Sequence, residues 1–109
     1  MRGFFSLMLV LIMGFTGTPA LALSSSPEGA ALFEVHCVGC HPQGKNIIRR
    51  GKTLRKKALQ KNKVDSLDAI ATLVTNGKGN MSAYADKLSA PEIETVSAYV
   101  LEQAEQGWH

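Results

Sequence analysis

One pentapeptide, Cys37-Val38-Gly39-Cys40-His41, constrains this chain more than any other feature of its sequence. In the order C-x-x-C-H, two thiols at positions i and i+3 can each form a thioether with one vinyl group of a porphyrin. The imidazole of the next residue then lies under the iron as an axial ligand. The motif predicts a covalently attached haem c, with Cys37 and Cys40 as attachment residues and His41 as an iron ligand.

Two other interpretations of these cysteines remain open from the residues alone. A redox-active C-x-x-C pair is typical of a βαβ context with a preceding strand, and the sequence before Cys37 shows no such pattern. A zinc site would need a second pair of ligands, but the remaining histidines are only His36 and His109. The haem interpretation is favoured over both.

The first 22 residues have the features of a secretory signal peptide. Arg2 supplies a positive charge, residues 4–15 are almost entirely apolar, and Ala20-Leu21-Ala22 is typical of a small-residue cleavage site. The apolar run is shorter than the about 20 residues of a membrane-spanning helix, and an uncleaved anchor is the alternative. We therefore expect residues 1–22 to be removed and residues 23–109 to form one exported haem domain.

After residue 25, the local signals predict helices joined by loops. Candidate helix caps occur at Ser26, Thr53, Asp65 or Ser66, and Ser89. The last of these begins a capping box with Glu92, and Pro27 suits the first turn of the first helix. Residues 42–52 are predicted to form a loop, and no segment alternates with period two, so the predicted fold class is all-α.

Met81 is the only methionine outside the predicted signal peptide. It follows a polar turn at residues 77–80, which Gly77 and Gly79 make flexible enough to bend sharply. A thioether delivered by such a loop is the expected second axial ligand of the iron, and Met/His ligation raises the reduction potential of a haem. The alternative, a methionine that only fills a gap in the core, is weakened by the neighbouring haem motif.

The predicted helices resemble those of class I cytochromes c. Gly29, Phe33 and Cys37 of this chain match the pattern of that family's first helix, and Tyr99 matches the aromatic residue of its last helix. More narrowly, the chain is similar to cytochrome c6 over most of residues 27–108. The matching segments are Gly44-Lys45-Asn46, Lys52-Thr53-Leu54, Asn76-Gly77-Lys78-Gly79, Met81 and Ala85-Asp86-Lys87-Leu88-Ser89. The resemblance implies about four helices around one haem and a one-electron carrier rather than an enzyme. It also implies a haem environment that includes Phe33, Asn46, Leu54, Leu73 and Tyr84.

The chain departs from the cytochrome c6 pattern at two places near the expected haem. Ser82 follows Met81 where the family usually has proline, so one rigid φ angle is lost. This keeps open an alternative function, a haem-based redox or ligand sensor or weak peroxidase with a labile methionine. Leu73 stands where the family commonly has glutamine. In relatives an apolar residue here accompanies a lower potential, a trait of the divergent c6B- and c6C-type cyanobacterial branches.

Charge is distributed very unevenly along the chain. Residues 45–63 contain nine of the twelve Lys and Arg residues and no acid. This segment is a candidate docking face for an acidic partner, although a solvated face that aids solubility is an equal alternative. The candidate docking residues are Lys45, Arg49, Arg50, Lys52, Arg55, Lys56, Lys57 and Lys87.

The same resemblance implies the partners and the compartment. It implies a cytochrome b6f-type complex as electron donor and photosystem I or a terminal oxidase as acceptor, in the thylakoid lumen or the periplasm. We expect a monomer without a small-molecule substrate. Nucleic acid is not an expected partner, because the basic segment lacks interleaved aromatic residues.

Overall fold

The computed structural model describes residues 26–109 together with the isolated Gly3 and Gly14. The predicted signal peptide and its cleavage site therefore lie outside the described residues, those two glycines apart. The described chain contains four α-helices: α1 Pro27–His36, α2 Lys56–Lys61, α3 Leu67–Asn76 and α4 Ala90–Gln106. Within this part of the chain the only strand-like pairing is an isolated bridge between Lys78 and Met81, so the predicted all-α class is confirmed.

Three of the four helices begin at the residues that their local sequence predicts. The side chain of Ser26 accepts a hydrogen bond from the Gly29 N–H, and Ser66 caps α3 in the same way. Ser89 and Glu92 form a reciprocal capping box at the start of α4. Each cap satisfies backbone N–H groups that have no partner within the first helical turn.

The second helix begins later than the sequence predicts. A cap at Thr53 predicts a helix that includes Leu54, whereas α2 spans Lys56–Lys61. The Leu54 backbone is already engaged, because its N–H donates to the Gly44 carbonyl at 2.7 Å. Its carbonyl accepts a hydrogen bond from Trp108 Nε1 at 2.9 Å. The predicted loop at residues 42–52 also contains two short 3₁₀ turns, Pro42–Gly44 and Arg50–Lys52.

The first and last helices cross closely at Gly29. A Cβ atom at this position would lie 2.7 Å from the Cβ of Tyr99 and 3.2 Å from the carbonyl oxygen of Thr95. Phe33, one turn further along α1, packs near the crossing with its ring centroid 5.5 Å from that of Tyr99. The absent side chain of Gly29 therefore lets α1 and α4 approach each other.

The buried core lies between these crossing helices, α2, α3 and the connections. Its members are Phe33, Leu59, Ile70, Val74, Leu88, Ile93, Val96, Val100 and Ala104. None of the helices in the described ranges is long and apolar enough to span a bilayer.

Candidate haem site

The C-x-x-C-H segment forms a tight turn directly after α1. Cys37 is the C-cap of that helix, and its N–H donates to the Phe33 carbonyl at 2.8 Å. The carbonyl of Cys37 in turn accepts hydrogen bonds from the N–H groups of Cys40, at 3.2 Å, and His41, at 2.9 Å. This turn directs both cysteines and the histidine toward one cavity.

The orientation of the His41 ring is fixed by a backbone carbonyl. Nδ1 of His41 lies 2.9 Å from the carbonyl oxygen of Lys45. Since a carbonyl can only accept, Nδ1 carries the proton and the lone pair of Nε2 remains available for a metal. Burial also lowers the pKa of His41, which favours the neutral imidazole that metal coordination requires.

The two cysteines differ in burial, because Cys37 is half-buried whereas Cys40 is exposed. Burial, assisted by the nearby Cys40, raises the pKa of the Cys37 thiol to about 11. A thiol with this pKa has almost no thiolate near neutral pH, and thiolate is the reactive form in disulfide exchange. Cys37 is therefore not favoured as the attacking thiol of a redox-active pair.

Met81 is presented by a turn that depends on glycine. Lys78 and Met81 exchange two backbone hydrogen bonds of 3.0 Å, and both Gly77 and Gly79 have positive φ angles of 70° and 57°. A Cβ on Gly77 would also approach the backbone of residues 81–83 to less than 3 Å. The sequence around residues 77–80 therefore determines the path by which Met81 reaches the cavity.

Tyr84 connects the Met81 loop to the end of α1. Its N–H donates to the Val74 carbonyl at 2.9 Å, and its hydroxyl donates to the carbonyl of His36 at 3.0 Å. The loop is thus tied to two helices although residue 82 is serine rather than proline. Both bonds restrict the conformation of the loop.

The residues described so far surround one cavity of about 520 Å³. Cys37, Cys40, His41 and Met81 all line it, and so do the five predicted environment residues Phe33, Asn46, Leu54, Leu73 and Tyr84. Further apolar lining comes from Leu59, Val64, Ile70, Val74, Val96 and Val100. A large apolar cleft that contains two free thiols, an oriented imidazole and a thioether fits a haem group.

One rim of the cavity is polar and lies in the basic segment. Arg49, Lys52 and Asn62 all reach the cavity from this side. Asn46 holds the rim together, because its amide donates to the Lys52 carbonyl and its oxygen accepts from the N–H groups of Ile48 and Arg49. The cationic rim suits the carboxylates that haem carries at one edge.

The candidate docking residues are all exposed, but they are not equivalent. Lys56 forms an ion pair with Glu105 at 3.0 Å. Lys87 lies outside the basic segment, with Nζ 5.1 Å from the centroid of the Tyr84 ring. Lys45, Arg50, Arg55 and Lys57 have no ion-pair partner among residues 26–109.

Sequence reasoning assigned no role at this site to two residues that shape it. Asn62 bonds to the Lys52 side chain at 3.1 Å and to the Gly51 carbonyl at 3.0 Å, and thereby fastens the basic rim to the end of α2. Trp108 packs against Gly44 behind the turn that follows His41. No local pattern indicates either contact, although the aliphatic lining on α3 and α4 could have been found from its helical periodicity.

Comparison with known proteins agrees with this geometry. Residues 25–100 match the sequence family described as "Cytochrome C oxidase, cbb3-type, subunit III". A "Cytochrome c6-like" protein of Nostoc sp. strain PCC 7120 is 56% identical over 99% of this chain and 99% of its own length. Cytochrome c6 of Aphanizomenon flos-aquae is 52% identical over 74% of this chain and 93% of that protein.

Solved structures give the same result. The crystal structure of cytochrome c6C from Synechococcus sp. PCC 7002 is 61% identical, with a TM-score of 0.71 over 72% of this chain and 96% of that chain. Cytochrome c6B from Synechococcus sp. WH8102 is 46% identical, with a TM-score of 0.73 over 79% of this chain and 98% of that one. The structural likeness therefore extends to the c6B and c6C types.

Proposed function

The chain belongs to the cytochrome c6 family of electron carriers with one covalently attached haem c, and from this premise we propose the residues and the role of its haem site. Cys37 and Cys40 form the thioether bonds, and His41 and Met81 are the axial ligands of the iron. The protein is a soluble one-electron carrier and binds no substrate at the metal.

The observation that carries this proposal is the convergence of four side chains on one apolar cavity. Cys37, Cys40 and His41 reach it from the turn after α1, and Met81 reaches it from the loop after α3. When bound, the haem supplies a one-electron couple between Fe(II) and Fe(III). The chain's own contribution is to hold the imidazole by its Lys45 hydrogen bond and to exclude water with aliphatic walls.

We further propose that the potential is lower than that of an ordinary cytochrome c6. Leu73 lines the cavity and presents only alkyl groups to it, where the family commonly has a glutamine amide. Without an amide N–H directed toward the haem, the additional positive charge of Fe(III) meets less electrostatic opposition. The oxidised state is therefore stabilised relative to the reduced state.

The proposed partners are membrane complexes that exchange electrons with this carrier. A cytochrome b6f-type complex would be the donor, and photosystem I or a terminal oxidase would be the acceptor. The basic segment of residues 45–63 and Lys87 would contact acidic surfaces on these complexes. Residues 1–22 would direct the protein to the thylakoid lumen or the periplasm and would then be removed.

The proposal is tested with the full chain, produced in a host that attaches haem c during export. We expect a mature mass equal to residues 23–109 plus one haem, and a pyridine haemochrome spectrum of the two-thioether type. Cys37→Ala and Cys40→Ala should each remove one thioether bond. A colourless mature protein, or one with only the polypeptide mass, would contradict the proposal.

Axial ligation by Met81 is tested separately. The ferric protein should show the weak charge-transfer band that methionine–iron bonding produces, and Met81→Ala should abolish it. If the wild type lacks this band and binds carbon monoxide readily, the sensor or peroxidase alternative is favoured instead. The serine at position 82 is the feature that keeps that alternative worth testing.

A further inference from the structure

The turn that positions His41 is held in place by the C-terminal end of the chain. Trp108 donates a hydrogen bond from Nε1 to the Leu54 carbonyl at 2.9 Å. The Leu54 N–H donates to the Gly44 carbonyl at 2.7 Å. Gly44 precedes Lys45, whose carbonyl accepts the hydrogen bond from His41 Nδ1 at 2.9 Å. Two hydrogen bonds therefore connect the indole to the segment Gly44-Lys45, and a third connects this segment to the imidazole.

The indole also contacts Gly44 directly. Gly44 is buried and has a φ angle of +76°, and a Cβ atom at this position would overlap the Cδ2, Cε2 and Nε1 atoms of Trp108. The backbone of the turn after His41 thus lies flat against the ring. This packing restricts movement of the turn in the direction away from the cavity.

Trp108 is itself held firmly at the end of α4. Gly107 ends the helix in the left-handed conformation, and the Trp108 N–H donates to the Gln103 carbonyl at 2.8 Å. The indole packs against Phe33 with a centroid distance of 5.1 Å and against Tyr99 at 6.2 Å. The ring is therefore a fixed support attached to the crossing of α1 and α4.

We propose that Trp108 is a positioning residue for the axial imidazole of His41. Trp108 is not among the cavity-lining residues, so its effect on the iron must pass through Leu54, Gly44 and Lys45. The inference rests on the proposed ligation by His41 and adds to it the origin of the ligand's orientation. Neither the haem motif nor the Met81 loop indicates this role.

The direction of the effect follows from the Nδ1 hydrogen bond. An imidazole that donates a strong hydrogen bond from Nδ1 is a more basic ligand and stabilises Fe(III). If the support is weakened, the Lys45 carbonyl moves away and the imidazole becomes a poorer donor. The equilibrium between the two oxidation states then shifts toward Fe(II), and the reduction potential rises.

The decisive variant is Trp108→Phe in the haem-loaded protein, because it keeps an aromatic ring but removes the N–H group. We expect the redox equilibrium constant to shift about threefold toward Fe(II), which corresponds to about 28 mV for one electron. By nuclear magnetic resonance, the His41 Nδ1 proton should exchange with solvent about fivefold faster. Trp108→Ala should move both quantities further in the same direction.

The matched control is Ile93→Ala, which removes buried volume from α4 near its other end, at a residue that does not line the cavity. Denaturant titration shows whether its loss of stability equals or exceeds that of Trp108→Phe. The control should leave the potential and the exchange rate unchanged.

Two results would overturn the proposal. One is an unchanged potential and exchange rate in Trp108→Phe, and the other is an equal shift in Ile93→Ala. If Trp108→Ala does not accumulate with haem attached, Trp108→Phe decides alone. A failure of His41 ligation itself is distinguishable, because the wild-type spectrum would then lack histidine coordination.

Discussion

Leu73 is the residue on which the proposed lowering of the reduction potential rests. It lies on α3, is half-buried, and faces the cavity together with Val74 and Ile70. A leucine at this position packs in the core and also presents no polar group to the cavity. The two roles can be separated by a substitution that preserves volume but adds an amide.

At the residue scale we therefore predict that Leu73→Gln raises the reduction potential. An electrostatic change of about 1–2 kcal/mol corresponds to about 40–90 mV for one electron. Redox titration of the wild type and the variant measures the difference, with Leu73→Met as an apolar control of similar volume that should leave the potential nearly unchanged. No rise in Leu73→Gln, or an equal rise in Leu73→Met, would show that the amide is not the determinant.

The haem-site residues differ in how far their roles could be read from sequence. The roles of Cys37, Cys40 and His41 could be proposed from spacing alone, because a contiguous motif carries all the chemistry that haem attachment needs. Met81 could be chosen because it is the only methionine left once the signal peptide is set aside. Asn62 could not be chosen, since its side chain acts on the distant Lys52 and Gly51 and follows no recurrent spacing.

At the scale of the elements, the crossing of α1 and α4 is the contact most sensitive to a single methyl group. Gly29 lies under Tyr99 with no space for a Cβ, since the nearest heavy atom would be 2.7 Å away. The contact involves the Cβ of Tyr99 and the backbone of Thr95, so it cannot be relieved by rotating a flexible side chain.

We predict that Gly29→Ala destabilises the haem-loaded protein by about 1–3 kcal/mol, because the two helices must move apart to accommodate the methyl group. The intrinsic helix preference of alanine would act in the opposite direction by up to about 1 kcal/mol. Denaturant unfolding followed by circular dichroism measures the net change. Gly51→Ala is the control, since nothing lies within 4 Å of a Cβ there. Equal stability of wild type and Gly29→Ala would refute the predicted close contact.

The helices also show why local signals suffice in some places and fail in others. The N-caps of α1, α3 and α4 are Ser26, Ser66 and Ser89, whose side chains accept hydrogen bonds from N–H groups three residues ahead. All the residues that form such a cap lie within four consecutive positions, so the cap can be predicted from local sequence. The start of α2 is different, because its position depends on hydrogen bonds between Leu54 and two residues that are distant along the chain.

At the scale of the whole molecule, the dominant feature is the separation of charge. The nine Lys and Arg residues of residues 45–63 are all exposed to solvent. Among the described residues, only Lys56 of this segment forms an ion pair, with Glu105. All nine acids of the chain lie outside this segment. A molecule with this asymmetry orients in the field of a charged partner before contact.

We predict that electron transfer to isolated photosystem I slows as ionic strength rises from about 0.01 to 0.1 M, where the Debye length falls from about 30 to 10 Å. Lys57→Gln should lower the second-order rate constant at low salt by about two- to threefold and should have little effect at high salt. Flash-induced absorbance changes of photosystem I measure these rates.

The control for that experiment is Ala98→Glu, which changes the net charge by the same amount at an exposed position on α4 outside the basic segment. If it slows the reaction as much as Lys57→Gln does, net charge rather than a docking face is responsible. A rate that is independent of salt would exclude electrostatic docking to this acceptor.

The sequence by itself determined those features of this protein whose defining residues are contiguous along the chain. The haem attachment motif, three helix starts, the glycine turn before Met81 and the basic segment each lie within a short run of residues, so local chemistry is enough to define them. Tertiary structure alone decided the delayed start of α2, the polar rim joined by Asn62, and the support of Gly44 by Trp108. Those features depend on contacts between residues 10 to more than 50 positions apart, which form only when the helices have packed.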